Sequence, residues 1–162
     1  MIPRLEKIYE RKWFSSPIRA DAAWVGNWAG NFTTDDPTHS TLSSTHPVDQ
    51  DWSGAEAVFH EFSHVLGDTL TARLNESLRQ AASQNGTLWR AVQFYLTGEV
   101  VREALVTRNI DYQPVVYSGD LFAGAWRSYR KPSEAAWQPY LQGSCSMDEA
   151  IARAVKVVAP PN

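Results

Sequence analysis

Residues 60–64 read His-Glu-Phe-Ser-His, the H-E-x-x-H pattern in which two imidazoles four positions apart share one side of a helix and can converge on a metal ion. Zinc suits such a pair. Held by three protein groups, it keeps a fourth position for water, draws the pKa of that water toward about 7, and so makes a nucleophile at neutral pH. Glu61 stands where a carboxylate can take the proton as general base. The competing possibility is a solvated helix face that happens to carry three polar side chains. Phe59, Phe62, Val65 and Leu66 argue against it, because ionisable groups on a partly buried helix are costly unless something pairs with them.

The imidazoles share a face only if the segment is helical. Ser53 with Glu56 three positions on has the spacing of a capping box and predicts a helix start. The stripe Phe59, Phe62, Leu66, Leu70, Leu74 and Leu78 carries that helix on to about Ala82, with a kink near Gly67 and an end at Asn85-Gly86. Thr87 then caps a second helix from about Leu88 to Val106.

The second helix offers the third ligand. Its stripe Leu88, Val92, Tyr95, Glu99 and Val106 puts Glu99 where the period calls for a core-facing residue, and a carboxylate there needs a cation. Gly98 lets this helix approach a neighbour closely, against a propensity cost of about 1 kcal/mol relative to Ala. Glu103, one turn on, is either an alternative ligand or a support for His60 or His64 through the ring nitrogen that does not bind metal. The other reading of Glu99 and Glu103 is a charged stripe in ordinary ion pairs with Arg102 and Arg108. Tyr112 and Tyr117, on the loop after this helix, are candidate donors to a developing oxyanion, the alternative being core packing.

His60-Glu61-x-x-His64 followed by Glu99-x-x-x-Glu103 resembles the gluzincin group of zinc metallopeptidases. The likeness covers residues 38–106 in organisation and four or five positions in identity. It implies a Glu as third ligand, an acidic residue one turn later supporting a ligand histidine, and a mostly helical zincin-like core beside an edge strand that holds an extended peptide substrate. The polar segment 38–45 is the candidate strand. The related metzincin pattern requires a third histidine where Leu70 stands, and Met147 begins an apparent helix, which suits a packing methionine better than a Met-turn.

The rest of the chain bounds the alternatives. Its 162 residues, 43% hydrophobic and 20% charged, make one globular domain over 1–162. A short helix over residues 3–13 is followed by two or three short antiparallel strands in 20–45, with turns at Gly26-Asn27 and Gly30-Asn31, and then by helices, two of them headed by Ser133 and Ser146. Strands first and helices after make an α+β fold. A net charge of −3 lacks the basic excess that nucleic acid requires, and no apolar run approaches the ~20 residues of a membrane span. Met1-Ile2-Pro3-Arg4 has no secretory leader, so the expectation is a cytoplasmic protein or the mature form of an exported one. Cys145, the single cysteine, excludes an internal disulfide. His39 and His46 read as surface or groove histidines, and Trp24, Trp28, Trp52, Trp89, Trp126 and Trp137 as core and rim packing. The function expected is zinc-dependent peptide-bond hydrolysis, with one Zn²⁺ on His60, His64 and Glu99. Its rivals are a non-catalytic zincin-like metal-binding interaction domain and an amidase for a non-protein amide.

Overall fold

Strands before helices is the order the chain adopts. The computed structural model describes residues 1–14, 17–24 and 30–159. The elements are α1 (Ile2–Tyr9), β1 (Ala20–Ala23), β2 (Phe32–Asp35), β3 (Thr38–Ser43), α2 (Asp51–Leu66), α3 (Asp68–Gln80), α4 (Leu88–Val106), α5 (Val115–Ser118), α6 (Arg130–Leu141) and α7 (Met147–Val158). The expected turn at Gly26-Asn27, and Trp28, lie outside the described residues.

The sheet corrects two expectations. Its order is β1-β3-β2, with β3 parallel to β1 and antiparallel to β2, so it is mixed rather than antiparallel. The polar strand β3 is therefore central and not an edge. Its Thr and Ser side chains suit a pleated surface as β-branched or small groups, and its polarity is absorbed locally: the Ser43 amide donates to Asn31 Oδ1 at 3.1 Å and the Ser43 hydroxyl to the Trp24 carbonyl at 3.3 Å. The strand left with an open side next to the helices is β2.

The capping signals divide. Ser146 and Glu149 form the full reciprocal box at the start of α7, Glu149 N–H to Ser146 Oγ at 3.3 Å and Ser146 N–H to Glu149 Oε2 at 2.8 Å. Ser53 and Glu56 do not. Helix α2 starts earlier, after Gln50; the Ser53 hydroxyl donates to the Gln50 carbonyl at 2.6 Å, and Glu56 turns inward to the Val115 amide. Helix α6 likewise starts before Ser133, which is buried within it; Pro132 sits in its first turn, where a missing N–H costs nothing. The expected kink at Gly67 is a full break between α2 and α3, and α3 ends at Gln80. A Cβ on Gly67 would lie 2.4 Å from Gln93 Nε2, so the chain turns there under α4 with no side chain.

Helix α4 lies at the middle of the helical layer and has more than one buried side, from Leu88, Val92 and Leu96 to Tyr95, Gly98 and Val101. One core joins it to Leu5, Ile8 and Tyr9 of α1, to Leu66, Leu70, Leu74 and Leu78 of α2 and α3, and to Trp137 and Ile151 of α6 and α7. Each such side chain contributes about 1.5–3 kcal/mol by leaving water. Met147 is in this core as a packing residue.

Helices α2 and α4 run antiparallel, with Gly98 against Glu56 near the start of α2 and Gln93 donating to the Ser63 carbonyl at 3.2 Å near its end. A Cβ at Gly98 would stand 2.7 Å from Pro114 Cβ and 3.1 Å from Glu56 Oε1. Gly98→Ala is expected to lose about 1–3 kcal/mol despite its better helix propensity. Thermal unfolding should show this as a fall of several degrees in Tm, and an unchanged Tm would mean the two helices have slack.

Candidate metal centre

Each ionisable group of the site is placed by the period of α2. Positions 56, 60 and 64 are spaced by four, so Glu56, His60 and His64 lie along one side of the helix, with Glu61 beside them. Glu56, His60 and Glu61 are buried and His64 is half-buried. Potential ligand atoms of His60, Glu61 and His64 all lie within 4.8 Å of one another, which makes a group able to hold a metal ion. The His60 and His64 ring centroids are 4.9 Å apart.

Neighbouring elements fix these side chains. Phe94 of α4 stacks on His60 with centroids 3.6 Å apart, and Trp89 meets His64 edge-on at 5.9 Å. Thr33 on the edge strand β2 donates its hydroxyl to Glu61 Oε2 at 3.1 Å. His60 Nδ1 is buried without a hydrogen-bond partner, an orphaned lone pair or N–H of the kind a ligand relieves. Burial, the neighbouring His64 and the positive charge of Arg90 hold the His60 imidazole well below its ordinary range; burial and Arg90, opposed by Asp68, lower His64. Both rings are thereby neutral at neutral pH, the form that binds metal. Burial raises the Glu61 carboxyl, with Asp49 adding to the effect and Thr33 opposing it. A raised carboxylate is a better proton acceptor.

The group opens on a cleft of about 1300 Å³. Asn31, Phe32 and Thr33 form one wall, Trp89, Arg90 and Phe94 the other, and Leu121 and Trp126 close it from the far segment. His46 is exposed on this cleft, where its Nδ1 accepts from the Val48 amide; His39 is away from it, its Nδ1 2.7 Å from the Thr34 hydroxyl.

The remaining sequence candidates stand elsewhere. Glu99 is buried, but its Oε2 accepts from Arg102 Nη2 at 2.6 Å and Nε at 3.0 Å, and it lines a separate cavity of about 590 Å³ with Tyr95, Tyr117 and Glu134. Five residues past Phe94, it points about 140° away from the face that meets His60. Glu103 pairs with Arg4 of α1 at 3.0 Å. The Tyr117 hydroxyl donates to Glu134 at 2.9 Å, and the Tyr112 hydroxyl to Glu56 Oε2 at 2.7 Å. The two histidines and Glu61 are brought together, and these four are not brought to them.

Three residues outside the expected set also shape the site: Phe94, Arg90 and Glu56. Glu56 carried a usable signal, four positions before His60, but its spacing from Ser53 pointed to a cap. No protein-family model, curated protein or solved structure matches this chain.

Glu56 also gives a measurable property. Burial raises its carboxyl from an ordinary 4.5 to about 7, against the hydrogen bonds from Tyr112 and the Val115 amide, with Glu99 adding to the rise. Folding thus favours the neutral form. The benefit is complete below the unfolded value of 4.5 and is lost as pH rises to about 7, a decline on the order of 3 kcal/mol. Glu56→Gln, which can still accept from both donors, should flatten this slope and unfold at a higher temperature than wild type at pH 8. Melting curves from pH 4.5 to 8 that stay parallel for the two proteins would remove the buried carboxyl as the cause.

Proposed function

We propose that this chain is a zinc-dependent hydrolase of peptide bonds. The observation that carries the reading is the compact His60, Glu61 and His64 group facing a cleft whose wall includes an edge strand. The donors suit zinc: two neutral imidazoles, one of them with a buried ring nitrogen that has no partner, and a carboxylate beside them for the proton. His60 and His64 would hold the ion. When bound, zinc supplies Lewis acidity and an acidified water.

The chain's own residues do the rest. Glu61, raised by burial and steadied by Thr33, takes a proton at its carboxylate and returns it to the leaving amine. The open side of β2 pairs with an extended peptide through main-chain hydrogen bonds, the part the sequence analysis gave to segment 38–45. Phe94 and Trp126, 5.4 Å apart, give the cleft an apolar wall that excludes water around the reacting bond. Glu99, paired with Arg102 and set on another side of α4, is not placed to complete that ligand set.

That ion pair leaves the histidines without a carboxylate from α4 and favours a second reading, in which the domain binds metal without catalysis. One experiment separates the two. Metal analysis of purified protein should find about one zinc per chain, lost in a His60→Ala/His64→Ala double variant. Glu61→Gln should keep the zinc and lose hydrolysis of a peptide library by about 10²–10⁴-fold. Zinc bound with no hydrolysis in wild type supports the binding domain, and protein without zinc affinity refutes both readings.

A further inference from the structure

Among the described residues lining the cleft, Arg90 alone bears a permanent positive charge, and no carboxylate pairs with it. Its side chain is exposed, and its guanidinium carbon lies 5.1 Å from the centroid of the Trp89 ring. The same Trp89 is set edge-on against His64. Asp68, the anion at this end of the cleft, is held by Arg11 at 3.3 Å. A guanidinium stacked on an aromatic ring beside a cleft, and left without a partner, keeps its planar fork of donors available to a carboxylate.

Its place along α4 sets the register. Arg90 precedes by four residues Phe94, the ring that covers His60, and lies on the same side of α4. Four residues are about 6 Å of helix. A peptide carbonyl beside the histidines has the carboxylate of the following residue about 3.3–3.6 Å further along the chain, and a charge-assisted hydrogen bond of about 2.7–2.9 Å covers the remainder.

We propose that Arg90 binds the terminal carboxylate of a peptide substrate, so that the site releases the last residue of a chain and does not cut within it. This rests on the hydrolase reading above, and its test includes a readout that does not. The probes are acetyl-Ala-Ala-Phe as free acid, the same peptide as its C-terminal amide, and acetyl-Ala-Glu-Phe amide, which carries its only carboxylate on a side chain. Binding is followed by the fluorescence of the cleft tryptophans in metal-free protein, and release of Phe is followed in zinc-loaded protein. Wild type should bind the free acid about 10-fold or more tightly than the amide. Arg90→Gln should abolish that preference by weakening binding of the free acid, and Arg90→Lys should restore part of it. Release of Phe should show the same preference in kcat/KM. Equal binding of acid and amide, a preference that survives Arg90→Gln, or tighter binding of the Glu-bearing amide would overturn the assignment. A discriminating but inactive protein would support the role of Arg90 while counting against hydrolysis.

Discussion

The rest of the structure depends on the cost of lining one side of a buried helix with ionisable groups. Helix α2 brings Glu56, His60, Glu61 and His64 to a common side, three of them under 10% exposed. Desolvation opposes ionisation of every one, and each neighbour answers part of that opposition. The hydroxyl of Tyr112 and the amide of Val115 meet Glu56, Thr33 meets Glu61, and the face of Phe94 covers His60. Gly98 is small so that the Glu56 carboxylate and Pro114 can fit against α4. Strand β2, the 111–115 segment and α4 are thus fixed by the needs of one row of side chains.

The helix pair was legible because its signals were local. The period of the apolar residues marked both helical stretches, Gly67 marked a bend that is in fact a break, and the H-E-x-x-H spacing picked out the three groups that come together. The sheet was legible only in kind. Short strands with Thr and Ser on both faces carry no strong alternation, and which of them is central depends on pairings between segments that no local pattern records.

Glu99 shows where periodicity stops. Its stripe with Leu88, Val92 and Tyr95 is real, and the residue is buried as the period requires. A helix covered on several sides has more than one stripe, however, and this one faces α6: Tyr95 donates to Gln138 there, and Glu99 shares its cavity with Glu134. The cation demanded by its burial is Arg102, three residues along the same helix. A residue can thus satisfy every local criterion for a ligand and have its charge answered at home. The side of α4 that meets the histidines carries Arg90, Phe94 and Gly98, a cation, a ring and a gap, none of which resembles a ligand when read along the chain.

Helix α1 closes the far side of α4 as a clasp between distant parts of the chain. Arg4 reaches both Glu103 and the Leu141 carbonyl, and the Tyr140 hydroxyl donates to the Ile8 carbonyl 132 residues earlier. On the ribosome this segment emerges before either partner exists. At about 5–20 residues per second, Leu5, Ile8 and Tyr9 wait on the order of ten seconds before α6 is made. An amphipathic helix released early is thus seated late, and the contacts that hold α4 from behind the cleft cannot close until the chain is made as far as α6.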